Sequence, residues 1–120
     1  MKILIADDEL RLRKVVALHL KKAGFAVLEA GNGRQALAMA KEQKPDVIVL
    51  DIMMPEMTGL EACEAIKADA ELSSIPVILL TAMAEAGDIE KGGAAGAEYY
   101  LTKPFSPKDL IDKINSNFKS

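Results

Sequence analysis

Two adjacent acids, a third acid, a hydroxyl and an ammonium each follow a short apolar run in this chain of 120 residues. Asp7 and Asp8 come after Lys2–Ala6, Asp51 after Val47–Leu50, Thr81 after Val77–Leu80, and Lys103 after Tyr99–Thr102. Carboxylates packed near one another repel unless a cation or a proton intervenes. Hard oxygen donors with room for water favour magnesium, and manganese accepts the same donors. A hydroxyl and an ammonium in the same crevice supply what the oxygens of a phosphoryl group need. That chemistry requires a fold that gathers residues lying far apart in the chain.

The elements around these residues provide one. Apolar runs of four or five residues that alternate with amphipathic segments read as buried parallel strands joined by helices. The spacing predicts strands at Lys2–Ala6, Ala26–Glu29, Val47–Leu50, Val77–Leu80 and Glu98–Leu101. Helices are predicted over Glu9–Ala23, Arg34–Gln43 and Leu60–Ala68, with a fourth inside Glu85–Ala95. The first would bury Leu12, Val15, Val16, Leu20 and Ala23, and Gly24 would stop it. A last helix starts at Ser106-Pro107-Lys108-Asp109, with Ser106 as its cap and Leu110, Ile111, Ile114 and Phe118 as its buried stripe. Right-handed crossovers place helices on both faces of such a sheet. The expectation is an α/β fold: a doubly wound, five-stranded parallel sheet of order 2-1-3-4-5 in a three-layer, flavodoxin-like domain over residues 1–120. Its switch point, between strands one and three, would unite Asp7, Asp8 and Asp51.

Composition narrows the classes. The net charge is -3, the pI is about 5.2, and the basic residues are scattered. Nucleic acids are bound through a basic face, so no direct nucleic-acid binding is expected. The single Cys63 cannot form an internal disulfide, which suits a reducing compartment. The apolar run Ile3–Ala6 is too short for a signal peptide or a membrane span. A cytoplasmic protein with no membrane contact is the expectation.

Four segments together carry a family resemblance: Asp7-Asp8-Glu9, Asp51-Ile52-Met53-Met54-Pro55-Glu56-Met57-Thr58-Gly59, Thr81-Ala82, and Tyr100-Leu101-Thr102-Lys103-Pro104-Phe105. They resemble the receiver domain of bacterial two-component response regulators over the whole chain. The resemblance implies that Asp51 accepts a phosphoryl group from a sensor histidine kinase or a phosphotransfer protein. It also implies that Asp8 ligates magnesium directly, Asp7 directly or through water, and Asp51 and the backbone carbonyl of Met53 complete the protein ligands. Thr81 and Lys103 would each hold a phosphoryl oxygen. Pro104 would follow the lysine through a cis bond, and Tyr100 would be the switch aromatic that moves with Thr81. The face made by the fourth helix, strand five and the last helix would change and meet a downstream effector or an output domain, with the chain a monomer or a phosphorylation-linked dimer. On this reading the protein is a signalling domain that catalyses only its own phosphorylation and dephosphorylation.

Other residues have plainer readings. Asp8 also fits a helix cap, His19 a partly buried packing residue, and Cys63 a small packing residue in the third helix. Met53 and Met83, two positions after Asp51 and Thr81, cannot orient a water molecule. Gly92, Gly93 and Gly96 would leave the fourth helix short or mobile. Two other functions compete. A hydrolytic aspartate-nucleophile phosphatase needs a second acid two residues after the nucleophile, where Met53 stands. A flavin-binding electron carrier needs a phosphate loop after strand one, where Asp7-Asp8-Glu9 would repel an anion.

Overall fold

A computed structural model describes residues 1–81, 96–103 and 105–117 of the protein. Strands β1 (Lys2–Ala6), β2 (Ala26–Ala30), β3 (Val47–Asp51), β4 (Val77–Thr81) and β5 (Tyr99–Thr102) form a parallel sheet of order β2-β1-β3-β4-β5. Helices α1 (Leu10–Lys22), α2 (Gly33–Gln43), α3 (Gly59–Ala68) and α4 (Pro107–Asn117) complete the described elements. The expected topology is the one observed, with element ends within a residue or so of expectation. The helix expected within Glu85–Ala95 lies outside the described residues, as do Met83, Gly92, Gly93, Pro104 and Phe118; Gly96 sits in a turn.

Strand alternation divides the core. Ile3, Ile5, Val47, Val49, Ile78 and Leu80 pack with Val16 and Leu20 of α1 and with Leu110 and Ile114 of α4. Leu4, Ala6, Ile48, Leu50, Val77 and Leu79 pack on the other face with Ala36 and Ala40 of α2 and with Ala62, Cys63 and Ile66 of α3. Both faces of the three middle strands are covered, which is why they read as unbroken apolar runs.

Local signals set the helix ends. At the end of α1 the N–H of Gly24 donates to the Lys21 carbonyl and that of Phe25 to the Leu20 carbonyl, with Gly24 at φ 99°. This paired return closes a helix with glycine just beyond its cap. Thr58 and Glu61 cap α3 reciprocally. Ser106 and Asp109 do the same for α4, the Asp109 N–H donating to Ser106 Oγ and the Ser106 N–H to Asp109 Oδ2. Lys44 ends α2 in the left-handed region, immediately before Pro45.

The expected face of α1 needs correction. Val16, Ala17 and Leu20 are buried, whereas Val15 is 47% exposed and Ala23 is also exposed. The buried stripe is rotated toward Ala17, on a helix that packs against both β2 and α4. His19 is exposed rather than partly buried, and Nδ1 of its ring lies 2.9 Å from the Val15 carbonyl oxygen. Cys63 is buried in α3 as expected, and burial pushes its thiol up to about 11. Among the described residues no helix is long and apolar enough to cross a membrane.

Gly59 ties α3 to the end of β3. Its N–H donates to the Ile52 carbonyl, and a Cβ at this position would run into the Asp51 carbonyl oxygen. The obstruction is backbone, so nothing nearby yields cheaply. Gly59→Ala is therefore expected to destabilise the fold by about 1–3 kcal/mol. Chemical denaturation of the two proteins measures this; equal midpoints would mean that α3 moves aside freely.

Candidate functional site

The alternation that builds the core also aims the charges. Asp7 continues the parity of Ile3 and Ile5, Asp51 that of Val47 and Val49, and Lys103 that of Tyr99 and Leu101. All three lie on the α1 and α4 side of the carboxyl edge of the sheet. Ala6 is level with Leu50 and Asp51 with Leu80, so the acids emerge at one height. The N–H of Lys103 donates to the Thr81 carbonyl at 2.7 Å, anchoring that residue beyond the end of β5.

Asp7 and Asp51 are 1% and 5% exposed, respectively. Lys103 bridges them: its Nζ lies 2.8 Å from Asp51 Oδ2 and 3.3 Å from Asp7 Oδ2. The remaining oxygens are engaged by backbone. Asp7 Oδ1 accepts from the Glu9 N–H at 2.9 Å, and Asp51 Oδ1 from the Met53 N–H at 3.3 Å. Asp8 is exposed, yet one carboxylate oxygen from each of Asp7, Asp8 and Asp51 lies within 4.8 Å of the others. One ammonium faces three carboxylates, and the two remaining negative charges match a divalent cation held by hard oxygen donors.

The electrostatics follow from that imbalance. Burial raises the pKa of Asp51 and the charge of Asp7 raises it further; Lys103 offsets this only in part, leaving Asp51 above its ordinary value. Burial pulls the other way on Lys103, but the two carboxylates outweigh it and raise its pKa. The ammonium is thus firmly protonated, while the Asp51 carboxylate is held at a cost.

Thr81 is 4% exposed and belongs to the opposite parity, that of Val77 and Leu79. Tyr100 shares that side and packs against the cluster containing Cys63, while Tyr99 packs on the far face under Lys113, whose Nζ is 5.7 Å from the ring centroid. The two tyrosines therefore point to opposite faces, as alternation requires. Met53 projects outward with 72% of its surface exposed. Pro104, expected to follow the lysine through a cis bond, is outside the described residues.

Several contributors were not evident in the sequence. The loop between β3 and α3 includes Glu56 at φ 65°, flanked by a hydrogen bond from the Met57 N–H to the Pro55 carbonyl at 2.7 Å. Arg13 reaches the backbone of Asp7, and Glu29 reaches Arg13. An acid inside an otherwise apolar strand was the available signal for Glu29.

The chain is similar in sequence and fold to known proteins. A family profile described as the response regulator receiver domain matches residues 3–115. The phosphate regulon transcriptional regulatory protein PhoB of Pseudomonas aeruginosa is 42% identical over 114 residues, covering 95% of this chain and 50% of that protein. The DNA-binding response regulator MtrA of Mycobacterium tuberculosis is 35% identical over 118 residues, covering 98% of this chain and 50% of that protein. The chain thus spans about half the length of these curated relatives. Among solved structures, the chemotaxis protein CheY4 of Vibrio cholerae superposes with a TM-score of 0.91 at 36% identity, over 96% of each chain.

These relatives overturn the expectation of no direct nucleic-acid binding, since they are named as transcriptional and DNA-binding regulators. The charge argument failed because composition reports only on the residues it counts, and relatives of this kind are about twice as long.

The charge imbalance has a measurable consequence for stability. The pKa of Asp51 is higher in the folded than in the unfolded chain, so its contribution to stability is fully present below about 3.8 and is lost as pH rises through the folded value. At neutral pH without divalent cations, Asp51→Asn should melt higher than wild type, and the difference should vanish on acidification. Magnesium at a hundredfold excess over its dissociation constant should stabilise wild type by about 2.7 kcal/mol and the variant by less. Thermal melts with and without magnesium check both; a variant that melts lower at neutral pH would mean that the Lys103 pairing outweighs the repulsion.

Proposed function

Because the chain belongs to the response regulator receiver domain family, we propose that Asp51 is the phosphoacceptor of a two-component signalling switch. Its carboxylate oxygen attacks the phosphorus of a phosphohistidine on a sensor kinase. A bond from Asp51 oxygen to phosphorus forms, the phosphorus–nitrogen bond breaks, and its electron pair stays on the imidazole. Asp51 is thereby converted to an acyl phosphate. The observation that supports this reading most is the Lys103 ammonium lying between Asp7 and Asp51, positioned to follow negative charge as it passes to the incoming phosphoryl oxygens.

Asp7, Asp8, Asp51 and the Met53 backbone carbonyl would hold a magnesium ion, which supplies the positive charge that phosphoryl oxygens need; manganese would serve as well. The Thr81 hydroxyl takes one phosphoryl oxygen and Lys103 another. Phosphorylation adds about -1.5 to -2 charge, and Thr81 answers it by moving toward the new group. Tyr100, on the same side of the sheet as Thr81, fills the space that Thr81 leaves. The chemistry becomes a packing change around β5. The chain acts in the cytoplasm and performs chemistry only on itself. Neither the phosphatase nor the flavin carrier is favoured by the family match.

Incubation with acetyl phosphate and magnesium should add one phosphoryl group to wild type and none to Asp51→Asn, read by intact mass spectrometry. Equal labelling of both would place the nucleophile elsewhere. Asp8→Ala should weaken magnesium binding strongly in a titration, because a charged oxygen ligand is removed.

The phosphorylated form should be long-lived. Met53 offers no donor or charge to orient an attacking water, and neither does the side chain of Met83. Met53→Asn combined with Met83→Glu should hasten phosphate loss. A double variant that dephosphorylates no faster than wild type would reduce both methionines to surface and packing roles.

A further inference from the structure

Asp7 is held by its backbone as firmly as by its carboxylate. Its N–H donates to the Ala30 carbonyl at 3.1 Å, and its own carbonyl accepts from Arg13 Nη1 at 2.8 Å. That carbonyl belongs to the planar peptide joining Asp7 to Asp8. Whatever fixes this plane therefore limits the directions in which the Asp8 side chain can leave the loop relative to that of Asp7. Arg13 is placed to do so from the first turn of α1, with its side chain 15% exposed.

Arg13 is itself oriented. Its Nε donates to Glu29 Oε1 at 3.1 Å, and Glu29 Oε2 accepts from Lys14 at 3.1 Å. Burial alone would raise the pKa of Glu29, but the hydrogen bonds from Lys14 and Arg13 outweigh it and keep the carboxyl low and ionised. A guanidinium is a rigid planar fork, so the carboxylate that takes one edge dictates where the other edge points. Among the described residues Arg13 hydrogen-bonds to Glu29 and to the Asp7 backbone rather than to the carboxylates of the acid cluster.

We propose that Arg13, oriented by Glu29, is a positioning residue for the cation site: it locks the peptide between Asp7 and Asp8 so that a buried and an exposed carboxylate converge on one ion. The proposal rests on the reading of Asp7, Asp8 and Asp51 as a magnesium site. Groups that orient metal ligands from behind commonly change metal affinity by about 10-fold or more when removed. The sign of the effect separates positioning from charge. Deleting a cation near a dication site should, on Coulomb grounds alone, tighten magnesium binding. Loss of positioning weakens it.

Calorimetric titration of magnesium alone into the purified chain tests this with wild type, Arg13→Met, Arg13→Lys, Glu29→Gln and the double variant Arg13→Met with Glu29→Gln. Arg13→Met should bind about 10-fold more weakly, and Arg13→Lys, which keeps the charge but loses the fork, should fall between it and wild type. Glu29→Gln should weaken binding, and the double variant should be no weaker than Arg13→Met, because Glu29 acts through Arg13. Affinity equal to or tighter than wild type in Arg13→Met would overturn the proposal. If Arg13→Met does not fold, Glu29→Gln and Arg13→Lys decide it, and unchanged affinity in both overturns it. Failure of the underlying reading looks different: wild type would bind no magnesium, or Asp8→Ala would bind it as wild type does.

Discussion

Two carboxylates buried side by side cannot both stay ionised without a positive charge between them, and Lys103 supplies it. Like charges about 4 Å apart at an effective dielectric of about 20 repel by about 4 kcal/mol. That is a large share of the roughly 5–15 kcal/mol by which a domain is stable. Asp7 and Asp51 are almost fully buried, with the Lys103 ammonium in contact with both. A single ammonium leaves the site short of positive charge, and that deficit is what the proposed dication would fill. On the proposed reading, the same ammonium would follow the charge as it moves off Asp51.

The rest of the fold serves that contact. Parallel pairing of β1 with β3 levels the two acids, and β5 brings Lys103 beside them because its N–H is hydrogen-bonded to the end of β4. Parity does the remaining sorting, sending Asp7, Asp51 and Lys103 to one side and Thr81 and Tyr100 to the other. The charged groups and the pair Thr81 and Tyr100 thus occupy opposite faces of one edge, linked through the backbone of β4 and β5.

How much of this was readable from the chain depended on the range of the interaction. Strand order and the meeting of Asp7, Asp8, Asp51 and Lys103 followed from apolar runs that end in polar residues, since burial on both faces leaves an unmistakable pattern. Caps such as Ser106 with Asp109 were equally local. The face of α1 was not: Ala17 is buried and Val15 exposed on a helix that also packs against α4, a partner that helical periodicity does not contain. The pairing of Arg13 with Glu29 depends on β2 lying beside α1, which neither segment shows alone. The need for glycine at Gly59 likewise appears only when the Asp51 carbonyl is seen against it. Charge composition misled about nucleic acids for a different reason, being a property of these residues rather than of the longer proteins they resemble.

The most direct test of the account is a crystal structure of the chain with magnesium and beryllium trifluoride, which mimics a phosphoryl group on a carboxylate. The account predicts beryllium bonded to an Asp51 oxygen, magnesium among Asp7, Asp8 and Asp51, and Lys103 Nζ moved from the Asp51 carboxylate to a fluorine. Beryllium on another residue, or Lys103 still bridging Asp7 and Asp51 with magnesium outside the acid cluster, would contradict it.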